Sequence, residues 1–170
     1  EFARGNSALS LTQLRAALGR HPELSKDEIV LRLALALARD DEHAEVALAL
    51  LAEKFGSLGP DALYALTQDP PKNVDEAFKK RVQKALEDSK NQSEALKLVL
   101  AFDAAKSCTA YKELLPKAVE LGDDRLTPAL RKLTVRRGCG LLGIGDCYKC
   151  LRRDKTLSEA VDAVKGRSAP

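Results

Sequence analysis

Residues 25–39 read SKDEIVLRLALALAR, and this segment contains the signals that decide the fold. Ser25 and Glu28 fit a capping box, in which one side chain at the helix start and another three positions later satisfy two otherwise unpaired backbone amides. Apolar residues then recur at intervals of three and four, which is the spacing of one face of a helix. The segment therefore predicts a helix over Lys26–Arg39.

The same signals occur along the rest of the chain. Capping boxes also fit Ser10/Gln13, Asn73/Glu76, Asn91/Glu94 and Thr156/Glu159. With glycine and proline as stop signals, we predict further helices over Ser10–Gly19, Glu42–Phe55, the segment between Gly59-Pro60 and Pro70-Pro71, Val74–Asp88, Gln92–Ala105, Thr109–Leu121, Pro128–Arg137 and Leu157–Lys165. No segment alternates polar and apolar residues as a strand would. The connections are short, so neighbouring helices should run antiparallel.

One connection between predicted helices has a distinctive arrangement. Residues 121–130 read LGDDRLTPAL, in which glycine ends one helix and proline opens the next at a position whose amide needs no partner. This arrangement resembles a HEAT-type repeat and occurs in one clear copy. The predicted fold class is all-α, with antiparallel helical hairpins stacked as a bundle or as a short HEAT-like solenoid.

The composition is that of an ordinary globular protein. Hydrophobic residues make up 45% and charged residues 31% of the 170 residues, so the chain can bury a core. The longest apolar run is far shorter than a membrane span, so we expect no membrane insertion by this segment. Residues 1–8 are interpreted as a cloning scar with a linker. Residues 9–170 are interpreted as a single helical domain, with a subdivision into 9–70 and 72–170 as the alternative.

Positive charge is concentrated near the C-terminal end of the chain. Between Arg125 and Lys155, nine Lys or Arg residues stand against two Asp residues, so this segment carries about +7 and the rest about −4. Nucleic acid or another anionic partner would bind here, through Arg131, Arg136, Arg137, Arg152 and Arg153. A solvated helix face explains the same charges without a partner.

The only concentrated chemistry in the sequence is a set of four cysteines, Cys108, Cys139, Cys147 and Cys150. We favour two disulfides. If Thr109–Leu121 and Pro128–Arg137 form an antiparallel hairpin, Cys108 and Cys139 meet at its open end and a bridge there clamps the hairpin. Cys147 and Cys150 would then pair with each other.

Three other interpretations of the cysteines stay open. The Cys147-x2-Cys150 spacing is that of half a zinc site, and the hairpin would bring Cys108 and Cys139 to it as the other half. A redox site at Cys147 and Cys150 would gain from nearby cations, but the βαβ pattern of thioredoxins is missing. Four reduced and buried cysteines are the third interpretation. We expect no cofactor, with zinc on the four cysteines as the alternative.

Five motifs are spread over the last two-thirds of the chain: Gly59-x-Asp61-Ala-Leu63-Tyr64, Ala105-Lys106-Ser107-Cys108, Leu114-Leu115-Pro116, Gly122-Asp123-Asp124-Arg125, and Arg137-Gly138-Cys139-Gly140 through Asp146-Cys147-Tyr148-Lys149-Cys150-Leu151-Arg152. Together they resemble a C-terminal region of large myxobacterial proteins, some of which carry a Ser/Thr protein kinase domain and a membrane span. The resemblance implies a periplasmic or cell-surface position after a span, where disulfides are favoured over zinc. It brings no catalytic residue with it.

No catalytic constellation is visible, so we expect no enzymatic activity. His21 and His43 fit no nucleophile pattern and are expected on the solvated surface. The predicted function is that of a non-catalytic module that binds another protein, or acts as a scaffold, within a larger signalling protein of bacterial origin and membrane-anchored as the resemblance implies. The alternatives are binding of nucleic acid or an anionic surface by the Arg131–Arg153 basic patch, and thiol–disulfide exchange by Cys147 and Cys150.

Overall fold

The predicted all-α fold is confirmed. A computed structural model describes residues 7–40, 42–71, 75–139 and 144–169. These ranges contain nine α-helices: α1 Ser7–Arg20, α2 Glu28–Leu37, α3 Ala44–Lys54, α4 Leu58–Gln68, α5 Glu76–Asp88, α6 Glu94–Ala104, α7 Cys108–Leu121, α8 Thr127–Thr134 and α9 Thr156–Val164. The only β-pairing in the described ranges is an isolated antiparallel bridge between Cys139 and Gly145. The expectations for residues 1–6, Asn73, Val74 and Gly140 lie outside the described residues.

The helix starts differ in detail from the predicted capping boxes. Asp27 is the N-cap of α2, because its carboxylate accepts hydrogen bonds from the amides of Ile29 at 2.7 Å and Val30 at 3.2 Å. The hydroxyl of Ser25 instead donates to the carbonyl of Pro22 at 2.6 Å. A charged acceptor binds two amides more strongly than a hydroxyl does, so the helix begins two residues later than predicted.

Aspartate also accepts hydrogen bonds from backbone amides at two further helix starts. The carboxylate of Asp75 accepts a hydrogen bond from the amide of Phe78 at 2.7 Å and caps α5. Asp154 accepts from the amide of Thr156 at 3.1 Å, so Thr156 is the first residue of α9 and not its cap. Ser10 lies inside α1. These capping boxes are therefore wrong in position, while each helix is present where it was predicted.

The chain divides into two compact units, residues 1–93 and 94–170. The boundary lies between α5 and α6, whereas the subdivision considered from the sequence was at Pro70-Pro71. In the first unit, α3 packs against α2, α4 and α5. A β-carbon on Gly59 would lie 1.8 Å from the carbonyl oxygen of Leu51, so α4 can approach α3 this closely only with glycine at that position. The largest fully buried side chains of this unit are Leu48, Leu51, Phe55, Leu63, Val82 and Leu86.

In the second unit, α9 is the central element. It packs against both α7 and α8, and α7 also packs against α6. Within the described residues, α7 and α8 make little contact with each other, so the predicted clamped hairpin of these two helices is wrong. The predicted helix Pro128–Arg137 ends early, because the backbone turns to an extended conformation at Val135. Cys139 therefore lies beyond α8 in an irregular segment, and not at the open end of a hairpin formed by α7 and α8.

The segment after α9 returns to the end of α7. The amide of Asp124 donates to the carbonyl of Arg167 at 2.8 Å. The Arg167 guanidinium donates to the carbonyl of Val119 at 2.9 Å, at the negative end of the α7 dipole. Gly122 makes this packing possible, since a β-carbon there would lie 2.5 Å from the Ala118 carbonyl oxygen and 2.9 Å from a methyl group of Val164.

Candidate interaction surface

All four cysteines form disulfides, as predicted, but their pairing differs from the one we favoured. Cys108 pairs with Cys150, with 6.2 Å between the α-carbons, and Cys139 pairs with Cys147, with 5.1 Å. Both separations are in the range of ordinary disulfides. The expected pairs Cys108–Cys139 and Cys147–Cys150 are therefore wrong.

The first disulfide joins the start of α7 to the 3₁₀ helix Lys149–Arg152, and the two elements pack against each other. Ser107 caps α7 by accepting a hydrogen bond from the amide of Ala110 at 3.1 Å, which places Cys108 at the first helical position. The rings of Tyr111 and Tyr148 meet edge to face with 5.6 Å between their centroids. The chain thus passes close to α7 immediately before Cys150, which explains the pairing.

The second disulfide closes a short loop. Cys139 and Gly145 exchange two backbone hydrogen bonds of 3.0 and 2.6 Å, so the two ends of the loop lie side by side. Gly138 has a φ of +118°, a conformation that side-chain-bearing residues rarely adopt, and it turns the chain into the loop. Cys147 is consequently opposite Cys139 and not opposite Cys150.

This pairing bears on the other interpretations of the cysteines. Every cysteine sulfur is in a disulfide, whereas a zinc ligand is a thiolate. Cys147 and Cys150 belong to different disulfides, whereas a Cys-x2-Cys redox site needs its two sulfurs to pair with each other. Across the described ranges, no three His, Cys, Asp or Glu residues form a group that could hold a metal.

Arg152, predicted as one of the anion-binding residues, is occupied inside the protein. Its Nε donates to Oδ2 of Asp146 at 3.0 Å, and its Nη2 donates to the carbonyls of Leu133 at 2.8 Å and Val135 at 3.2 Å. The arginine side chain is only 22% exposed. Arg152 therefore fastens the end of α8 to the disulfide-closed loop through its Nε and Nη2 atoms.

The carboxylate of Asp146 is held in its charged form at this junction. The amide of Tyr148, which donates to it at 2.8 Å, lowers the pKa of Asp146 most strongly, and Arg152 and then Arg136 lower it further. Burial acts in the opposite direction and is outweighed. Arg136 therefore lies near the loop, although it forms no direct bond to Asp146 within the described residues.

The other predicted anion-binding residues, Arg131, Arg136, Arg137 and Arg153, are exposed. Two of them lie next to exposed apolar side chains that the sequence reading missed. Val135 is 51% exposed and Ile144 is 75% exposed. Arg152 donates to the carbonyl of Val135 and to the carboxylate of Asp146, which lies two residues after Ile144 in the chain. We call Val135, Arg136, Arg137 and Ile144 the basic–apolar surface.

The two histidines have different environments. His21 is exposed, as expected, and its Nδ1 lies 3.1 Å from the Glu23 carboxylate. His43 is only 8% exposed, so its expected position on the solvated surface is wrong. His43 directly precedes α3, and its Nδ1 lies 3.6 Å from the carboxylate of Asp40.

The fold and this surface define a disulfide-stabilised all-α protein. Comparisons with protein-family models, with curated proteins and with solved structures find no match. Within the described ranges, no helix has both the length and the apolar character to cross a membrane. The two disulfides are compatible with an oxidising compartment.

Proposed function

We propose that the chain is a non-catalytic module that binds another protein, within a larger signalling protein, and that it works outside the cytoplasm. The observation that carries the proposal is the basic–apolar surface. Ile144 and Val135 are exposed to 75% and 51% beside two exposed arginines. Arginine is enriched in protein interfaces, and the buried centre of an interface is more apolar than its rim. Burying one isoleucine contributes about 1.5–3 kcal/mol.

The surface is held in place before any partner arrives. The Cys139–Cys147 disulfide and the Cys139–Gly145 bridge join the two ends of the loop. Arg152 fastens it to α8. The Cys108–Cys150 disulfide fastens the following residues to α7. A preorganised surface loses little conformational entropy on binding, so its contacts contribute more fully to affinity.

Binding of nucleic acid or an anionic surface is the second candidate. The exposed cations Arg131, Lys132, Arg136, Arg137 and Arg153 favour it, because contacts to phosphate supply most of the affinity in such complexes. The exposed Val135 and Ile144 favour a protein, since contacts to phosphate make no use of apolar side chains. Thiol–disulfide exchange is not favoured, because Cys147 and Cys150 are in separate disulfides.

The test is affinity capture with three forms of the full, oxidised chain: wild type, the double variant Val135→Ser/Ile144→Ser, and the control Ile29→Ser. The control is closely matched because Ile29 is 77% exposed and lies in the other unit. We expect one protein to be retained by wild type and by the control, and to be lost with the double variant. Equal recovery by all three forms, or no specific recovery by any, would contradict the proposal.

A further inference from the structure

We infer that the partner presents an acidic segment with an apolar side chain, which the basic–apolar surface binds through Arg136 and Arg137 around Val135 and Ile144. The inference rests on the proposed function and specifies the chemistry of the partner. It depends on the charges near the surface and on the position of the two apolar side chains among them.

The acidic residues near this surface are already engaged. Asp146 binds Arg152 and the amide of Tyr148. Asp154 and Asp162 line the same cavity as Arg136. Asp154 accepts a hydrogen bond from the amide of Thr156 at the start of α9, and Asp162 pairs with Lys165 at 3.2 Å. Arg137, by contrast, forms no ion pair with any residue that the structure describes. The surface is therefore positively charged, and an acidic partner supplies the opposite charge that the protein does not supply itself.

Two exposed apolar side chains accompany the exposed arginines. Val135 follows α8 in extended backbone and directly precedes Arg136 and Arg137, and Ile144 lies two residues before Asp146, which binds Arg152. A partner consisting only of carboxylates would leave both apolar side chains in water. A partner with a leucine, isoleucine or phenylalanine between carboxylates buries them while its charges meet the arginines, which are also the most suitable residues for paired bonds to carboxylate.

The surrounding protein excludes a basic partner by the same argument. The segment from Arg125 to Lys155 carries about +7, and like charges brought together at an interface oppose binding. Because the arginines are exposed, their attraction for carboxylates should weaken as salt is added and the Debye length falls to about 8 Å at physiological ionic strength.

The experiment measures binding of labelled synthetic peptides to the full, oxidised chain by fluorescence anisotropy. One peptide is an amphipathic helix-former of glutamate, alanine and leucine. A second replaces leucine with serine, and a third replaces glutamate with lysine. We expect the first to bind, the second to bind roughly tenfold more weakly, and the third not to bind. Arg136→Ser/Arg137→Ser should weaken binding of the first roughly tenfold, as should Val135→Ser/Ile144→Ser, whereas Ile29→Ser should leave it unchanged.

Several outcomes would overturn the inference. Equal binding of the lysine peptide, or binding of the glutamate–leucine peptide that is unaffected by the arginine substitutions, would exclude an acidic partner at this surface. Retention on duplex DNA or on phosphatidylserine vesicles without peptide binding would assign the surface to phosphate-bearing ligands. If affinity capture depends on Val135 and Ile144 while the acidic peptide fails, only the acidic partner is wrong. If capture does not depend on them, the proposed function itself fails.

Discussion

Removing the Cys108–Cys150 disulfide should destabilise the protein more than removing Cys139–Cys147. The first bridge joins residues separated by 42 positions, which corresponds in the chain-entropy model to about 4 kcal/mol. The second spans a separation of 8, which corresponds to about 2.5 kcal/mol. The paired variants Cys108→Ala/Cys150→Ala and Cys139→Ala/Cys147→Ala should therefore differ in stability by about 1.5 kcal/mol.

The assay is urea unfolding of the full chain, followed by far-ultraviolet circular dichroism and by the tyrosine signal of the Tyr111–Tyr148 contact in the second unit. Each variant is measured with and without reductant, because the reduced wild type lacks both bridges and serves as the common reference. We expect the Cys108→Ala/Cys150→Ala form to unfold at the lower urea concentration when oxidised. Equal urea midpoints of unfolding, or a lower midpoint for the Cys139→Ala/Cys147→Ala form, would refute either the pairing or the larger contribution of the Cys108–Cys150 disulfide to stability.

Three further predictions follow from particular contacts. Gly122→Ala should destabilise the second unit by roughly 1–3 kcal/mol in urea unfolding, because its new methyl group would overlap the Ala118 carbonyl and Val164. Gly19→Ala, with open space around it, should not destabilise, and equal losses for the two would disprove the close packing at Gly122. Arg167→Ala should cost about 0.5–1 kcal/mol through loss of its bonds to the α7 carbonyls, while the exposed Arg153→Ala should cost nothing measurable. Asp146→Asn should lower the melting temperature at neutral pH. The pKa of Asp146 is held below its ordinary 3.8, chiefly by the Tyr148 amide, so its charge stabilises the fold above that pH and the benefit is lost as pH falls through the lowered pKa. The melting difference between Asp146→Asn and wild type should therefore shrink in strong acid, and a constant difference would rule out this role of the charge.

The helices could be predicted from the sequence because each is specified by its own residues. Apolar spacing and stop residues are local signals, and they located all nine helices. The exact starts were less predictable. Ser25 and Asp27 both lie where a cap could form, and the choice between them depends on the 3₁₀ helix Pro22–Lys26 that occupies Ser25. That competition is visible only in the folded chain.

The disulfide pairing could not be predicted because it depends on contacts between distant segments. We assumed that consecutive helices pair, which placed Cys139 next to Cys108. In the structure, α9 packs on both α7 and α8. Because α8 ends at Thr134, the helix does not extend far enough to place Cys139 next to Cys108. Gly122 is the residue that could have indicated this packing. Without a β-carbon it permits close approach by any helix, and in the structure it is Val164 of α9 that lies next to it.

The candidate surface was predicted in part. The basic segment was recognised, but Arg152 was assigned to a partner, and its bonds to Asp146 and to the α8 carbonyls depend on three-dimensional placement. The sequence predicts Val135 as part of the helix Pro128–Arg137, whereas α8 ends at Thr134 and Val135 is extended. An isoleucine between glycines in a loop bounded by two cysteines, as Ile144 is, was the sequence signal that could have indicated an exposed apolar contact.

The central claim is that Cys108 pairs with Cys150 and Cys139 with Cys147, so that the first disulfide fastens Lys149–Arg152 to α7 and the second joins the ends of a short loop. Peptide mapping without reduction tests this claim most directly. Free thiols are first blocked in acid to prevent exchange, and the chain is cut with trypsin. Cleavage after Lys and Arg separates Cys108 into residues 107–112, Cys139 and Cys147 together into 138–149, and Cys150 into 150–152. We predict residues 107–112 joined to 150–152, and a separate 138–149 peptide that is lighter by two hydrogens than its reduced form. A single species joining all three peptides, or four blocked free thiols, would contradict the claim.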